Sequence, residues 1–296
     1  MKRLFAFGCS FTQYAWPTWA DFLGSEFEHF ENWGYPGIGN RAIAERVAQC
    51  HAINKFTPDD TIIVQWSSYL RNDYHTGRRR LNYMKKDPLA WQGGWKTGGS
   101  MFNYINQPIY DQKWIAQFFD GQSFFMHTLN NIIATQGLLE STKCTWLMTS
   151  MSDLPRLGND IPNNSYGDAL TLENPDYTIW DDPEYEKFAF YKDAIWSNYA
   201  DHWLEPIGPY AWKQDMLSWA FESDDGKSIR DMHPSPRQHI SYTNRVIKPK
   251  LDLPINDAPY SDLLGLVEEV KHRNSKLENF EVELIKKWHP LDYKGI

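Results

Sequence analysis

A chain of 296 residues with 42% hydrophobic content can bury a core in one large domain or two small ones. Its formal charge of −8 argues against the basic face of a nucleic-acid binder, and its three widely spaced cysteines, with no Cys-x-x-Cys pair, exclude a disulfide framework or a zinc knuckle. No stretch reaches the ~18 apolar residues of a membrane span, and the basic-then-apolar start stops too early for a signal peptide, so the expectation is a cytoplasmic chain with neither nucleic-acid nor membrane partners.

Residues 2–7 are mostly apolar, as in a strand buried on both faces, and run into Gly8-Cys9-Ser10. Thr18 to Leu23 reads as a short helix and Asn32 to Gly39 as a Gly/Pro turn region. Arg41 to Lys55 is helical, with Ile43, Val47 and Cys50 at helix spacing. After the turn Thr57-Pro58-Asp59-Asp60, Thr61 to Trp66 is a β-branched strand. Alternating strands and helices predict an α/β fold: a three-layer α/β/α sandwich around a mostly parallel sheet of about five strands.

Residues 74–112 are aromatic and Gly-rich without periodicity, which predicts an insertion of the kind that serves as a lid or binding loop. Lys113 to Leu139 is helical, with Gly121 a potential break, and Cys144 to Thr149 is another buried strand. Residues 154–186 form a second, acidic insertion, and Phe188 to Phe221 is helical and aromatic, interrupted by Pro206 and Pro209. Ser235-Pro236-Arg237-Gln238 is a capping box with proline at the first helical position, starting a helix that runs to about Ile247 and ends near Pro249. Residues 251–296 hold one or two amphipathic helices beyond a domain of residues 1–250. This tail could pack on the domain or pair two chains as a homo-oligomer.

A serine hydroxyl becomes a nucleophile when a base takes its proton and a third group orients that base. Ser10 falls where the first strand should end, the edge at which parallel sheets carry their sites. His233 lies two residues before the Ser235 cap, with Asp231 in the same short loop. Each motif alone is explained by a surface turn; their combination points to acyl chemistry. Aromatic residues make up 16% of the chain, and Trp91-Gln92-Gly93-Gly94-Trp95 with Tyr104 could form a wall for the C–H face of a sugar or simply cover the core.

These residues resemble the SGNH (GDSL-like) hydrolases over roughly residues 1–250, through short blocks. Gly8-Cys9-Ser10-Phe11-Thr12 is similar to the block that carries the nucleophile, Asn32 to Asn40 to the block whose glycine donates an N–H to the oxyanion, and Asp231-Met232-His233-Pro234-Ser235 to the block with acid and base. The resemblance implies a flavodoxin-like strand order and a catalytic set of Ser10, Asp231 and His233. It implies an oxyanion hole from Ser10, Gly37 (Gly39 next in line) and Ser67. The opening, with Trp16-Pro17, is in the style of phage-encoded and bacterial glycan-modifying members, which would place the protein in a virion or a host cytoplasm. Three positions depart from the pattern. Cys9 replaces the usual Asp, and Gln65-Trp66-Ser67-Ser68 replaces Gly-x-Asn, leaving a hydroxyl of Ser67 or the amide of Asn72 as donor. Arg230 stands where the acid usually is, shifting the carboxylate to Asp231 or leaving a dyad.

The function expected is hydrolysis of an O-acyl ester, acetyl on a carbohydrate, with Asn40, Arg71, Trp91 and Trp95 contacting the small-molecule or glycan substrate. The alternatives are an O-acyltransferase using the same residues and a binding or virion protein with a decayed site. No cofactor or metal is expected, because the nine histidines are scattered without an HExxH. Gly37-Ile38-Gly39-Asn40-Arg41-Ala42 matches a dinucleotide fingerprint, but no β-branched strand precedes it. Cys9 is the alternative nucleophile, His239 reads as structural, and the basic run Arg78-Arg79-Arg80 with Lys85-Lys86 reads as a solvated loop.

Overall fold

The computed structural model describes residues 2–75, 95–100, 117–118, 120–152, 185–212, 220–222, 228–230 and 233–288, with Lys113, Leu154 and Pro183. Asp231, Trp91, Tyr104, the basic run at 78–86 and nearly all of the 154–186 insertion lie outside them.

The core is a four-stranded parallel sheet of β1 (Arg3–Phe7), β2 (His29–Asn32), β3 (Asp60–Trp66) and β6 (Thr145–Ser150), in the order β2-β1-β3-β6. Leu4 to Phe7 and Ile62 to Trp66 are all buried, because helices cover both faces, and that explains the uninterrupted apolar runs. The chain leaves β1 toward β2 and leaves β3 toward β6, so successive crossovers turn opposite ways. Right-handed connections then place α1 (Trp19–Gly24) on one face and α2 (Asn40–Asn54) with α3 (Gly121–Thr142) on the other. Accordingly α2 packs on α3, and α1 on α6 (Pro236–Tyr242). The divergence between β1 and β3 leaves a crevice at their carboxyl ends, the location at which doubly wound sheets bind ligands.

Four positions differ from expectation. The sheet has four strands among the described residues rather than five. Beyond β6 the next place is held by a single parallel bridge, Met148 to Trp203, with Leu204 N–H donating to Met148 O at 2.8 Å. Gly121 starts α3 rather than breaking it: Asp120 caps the helix by accepting from Gln122 N–H at 3.0 Å. The 74–112 insertion is entered by a hairpin of β4 (Arg71–His75) and β5 (Trp95–Ser100), so it is rooted in regular structure. The helix from Pro236 passes through a π-helical turn at Thr243–Ile247 and continues to Lys250, carrying Pro249 in its last turn.

Between β6 and α6 the chain is helical in short pieces, Phe190–Ile195 (α4) and Ile207–Trp212 (α5) with 3₁₀ turns, followed by a small hairpin of β7 (Ala220–Glu222) and β8 (Ser228–Arg230). The C-terminal helices α7 (Ser261–Arg273) and α8 (Leu277–Lys287) bury Val267, Val270, Phe280 and Leu284 against Trp16 and Phe221. They therefore pack directly onto the loop that follows β1. Among the described residues no helix is long and apolar enough to cross a membrane.

Candidate active site

Phe7 of β1 lies opposite Val64 of β3, so Ser10 and Ser67 each leave the sheet three residues past a paired position, at the same edge. Gly8 makes the exit from β1 sterically feasible. A Cβ there would sit 2.1 Å from Thr12 Oγ1 and 2.8 Å from Gln65 Oε1. The turn after it is closed by Thr12 and Gln13 N–H groups donating to Cys9 O at 2.9 and 3.1 Å. Thr12 Oγ1 donates to Gln65 Oε1 at 2.8 Å, and Asn32 Nδ2 and Thr18 Oγ1 donate to Thr12 O at 2.9 and 2.5 Å. Gly8→Ala is expected to destabilise the fold by about 1–3 kcal/mol through overpacking and to displace Ser10, read as a lower melting temperature together with lost turnover.

His233 Nε2 lies 2.8 Å from Ser10 Oγ, although the two residues are 223 positions apart. Ser10 is 5% exposed and His233 half-buried, so the pair is shielded but open on one side. Two devices hold the histidine's backbone. Ser235 and Gln238 form the expected capping box, Ser235 N–H donating to Gln238 Oε1 at 2.7 Å. Trp16 Nε1 donates to Pro234 O at 2.9 Å. The ring itself is enclosed by Phe11, Tyr14 and Trp16, from the same loop as Ser10. Asp231, which follows β8 directly in sequence, is outside the described residues.

Cys9 points the other way. Its sulfur is fully buried, 3.7 Å from Gln65 Oε1 and 3.9 Å from Met151 Sδ. His239 is fully buried with both ring nitrogens unpartnered, and desolvation, with a smaller contribution from nearby His233, pushes it down to about 3. It stays neutral, as suits a structural residue.

The second block lies alongside the first. Trp33 N–H donates to Ala6 O at 2.7 Å and Tyr35 N–H to Gly8 O at 2.9 Å, extending the β1–β2 pairing to the serine turn. Pro36-Gly37 then turns, with Ile38 N–H reaching back to Tyr35 O at 3.4 Å and Gly37 at φ 81°, a left-handed value suited to glycine. Gly39, next in line as a donor, is committed elsewhere: its N–H donates to Asp73 Oδ2 at 2.7 Å.

Asn40 and Arg71, expected to contact substrate, each bond to the backbone around the site. The Asn40 side chain grips the backbone of Ser67, accepting from its N–H at 2.7 Å and donating to its C=O at 2.9 Å, and also donates to Thr128 Oγ1 at 3.1 Å. The Ser67 Oγ itself is buried and without a hydrogen-bond partner. Arg71 donates through Nη1 to Ile38 O at 3.3 Å and through Nη2 to Met151 Sδ at 3.6 Å, so it braces the Gly37 turn from β4. Asp73, on the same strand, braces the turn through Gly39. Burial pushes Asp73 up to about 7, opposed by its hydrogen bonds from Gly39 and Ala42 N–H and by the Arg71 charge. Trp95 opens β5, its backbone paired with His75. Tyr14, Trp16 and Asp73 had no site role assigned from sequence; the spacing Phe11-x-x-Tyr14-x-Trp16 beside the serine was the available signal for two of them. Among the described residues no group of three or more His, Cys, Asp or Glu is placed to hold a metal ion.

No protein-family model matches the chain, and no curated protein matches it. Among solved structures it is similar to a member of the lipolytic protein G-D-S-L family from Veillonella parvula DSM 2008, at 10% identity and a TM-score of 0.37, covering 81% of this chain and 92% of that one. At that level of superposition the likeness says nothing about the site, which stands on this chain's own geometry: a serine at the carboxyl edge of a parallel sheet, in hydrogen-bond contact with a histidine from the far end of the chain.

Proposed function

We infer that the chain is a serine-dependent ester hydrolase that removes an O-acyl group, acetyl from a carbohydrate. The observation that carries this reading is the 2.8 Å contact between Ser10 Oγ and His233 Nε2 at the switch point of the sheet. His233 takes the hydroxyl proton as Ser10 Oγ bonds to the ester carbonyl carbon. The tetrahedral intermediate collapses by breaking the carbon–oxygen bond to the alcohol, which leaves with the proton from His233. Water, deprotonated by the same imidazole, then frees the acid and restores Ser10.

In this reading the Gly37 N–H, the Ser10 N–H and the Ser67 hydroxyl hold the negative oxygen. Asp231 orients the imidazole from the residue after β8. The carbohydrate preference is supported by Trp91 and Trp95, in the segment that begins with the strand bracing the Gly37 turn. The test is a fluorophosphonate probe with peptide mapping, together with hydrolysis of p-nitrophenyl acetate and acetylated oligosaccharides. Labelling at Ser10 and release of free acetate are expected. A folded protein with an unlabelled Ser10 would refute the reading, and acyl groups recovered on an added glycan acceptor would make the enzyme a transferase.

A further inference from the structure

The imidazole of His233 lies flat against Tyr14, with ring centroids 3.8 Å apart and planes inclined by 19°. Phe11 meets it edge-on at 5.4 Å and 70°, and Trp16 at 6.4 Å and 85°. Trp16 also stands edge-on to Tyr14, at 4.5 Å and 82°, and donates its indole N–H to Pro234 O at 2.9 Å. One side chain therefore supports both the ring that stacks on the histidine and the backbone that carries it. Behind Trp16 lies the apolar face of the C-terminal helix pair: Phe280 is 6.1 Å from the indole, with Val267, Val270 and Leu284 in the same buried cluster.

A histidine side chain has two torsions, and the second is broad, so backbone placement alone leaves the ring plane loosely set. Proton transfer needs the Nε2 lone pair to lie along the line to the serine oxygen. A flat stack supplies the missing restraint, because turning the ring about its second torsion drives an edge into the tyrosine. It does so without using either in-plane nitrogen direction.

We propose that Tyr14 is a positioning residue that sets the plane of the His233 imidazole for proton transfer from Ser10, and that the C-terminal helix pair holds it there through Trp16. The catalytic part of this proposal rests on the esterase reading above.

The contrast between Tyr14→Leu, which keeps apolar bulk and loses the flat face, and Tyr14→Phe, which keeps the face, tests the proposal in the full chain. Tyr14→Leu is expected to lower kcat on p-nitrophenyl acetate by about 10- to 100-fold, with KM within about two-fold of the starting protein. Tyr14→Phe is expected to retain kcat. In NMR spectra the His233 ring C–H protons should be displaced upfield by the tyrosine ring current, and the displacement should survive in Tyr14→Phe and vanish in Tyr14→Leu. Trp16→Phe, which lacks the donor to Pro234, should show a smaller loss in kcat with the displacement reduced. Tyr14→Met is a second replacement without a flat face, should the leucine variant not fold. Undiminished turnover in folded Tyr14→Leu, or unchanged imidazole signals, overturns the proposal. If the unaltered protein cleaves no ester and Ser10 is not labelled, the esterase reading fails first, and with it the catalytic half of the proposal. The NMR contrast then still decides whether Tyr14 sets the ring.

Discussion

Ser10→Ala is expected to reduce kcat/KM for an acyl ester by about 10⁴- to 10⁶-fold while leaving the melting temperature close to that of the unaltered protein. The alanine removes one oxygen from a turn that is closed by the Thr12 and Gln13 N–H groups on Cys9 O, so little of the fold depends on it. His233→Gln should cost a similar factor, because without a base at 2.8 Å the hydroxyl keeps its proton. The two substitutions act on one proton transfer, so the double variant should be no slower than the worse single one. Additive losses would mean that the residues work independently, and would dissolve the pair. Cys9→Ala, by contrast, should retain turnover, since the sulfur faces Gln65 and Met151 in the core. The measurement is initial-rate kinetics on p-nitrophenyl acetate, with thermal melts of each variant.

The second large effect is on stability and depends on pH. Burial raises Asp73 from 3.8 to about 7, with Oδ2 accepting from Gly39 N–H and Oδ1 buried without a partner. A carboxyl raised on folding binds more protons in the native state than in the unfolded chain. Its contribution is therefore fully present below about 4 and is lost as pH rises through about 7. Asp21, in the first turn of α1 and raised to about 6 by burial, acts with the same sign over a narrower window. The protein should thus lose stability between pH 5 and pH 8 on account of these two groups. Asp73→Asn keeps the acceptor for Gly39 and cannot ionise. Its stabilising effect should be larger at pH 8 than at pH 5 by about 2–3 kcal/mol. Urea denaturation at the two pH values checks this, Asp21 being common to both proteins. An equal change at pH 5 and pH 8 would show that Asp73 is ionised throughout. Because Asp73 and Arg71 hold the Gly37 turn from β4, the same variant reports whether charge there affects turnover.

Much of the frame was legible in local chemistry. β1, β3 and β6 are apolar runs that only a doubly covered sheet requires, and the Ser235 box announced its helix by composition alone. β2 was hidden because His29-Phe30-Glu31-Asn32 is a half-exposed edge strand with one apolar residue in four, too short and polar for periodicity to register. β4 and β5 were hidden because Trp95-Lys96-Thr97-Gly98-Gly99-Ser100 has little strand propensity; pairing with Arg71–His75 supplies the order. Pro249 was read as a stop, yet it sits in the final turn after a π-helical adjustment.

The amino-acid order by itself determined which groups could do chemistry and where each would leave regular structure: Ser10 after an apolar strand, His233 before a capped helix, Gly37 in a turn after proline. These depend on interactions within a few residues, which sequence records directly. Only the tertiary structure decided which groups meet. Asn40 and Arg71 brace backbone, Gly39 is bound to Asp73, and Tyr14 and Trp16 enclose the histidine under the C-terminal helices. Contacts across so many intervening residues are set by how the layers close on one another, and no local pattern encodes that.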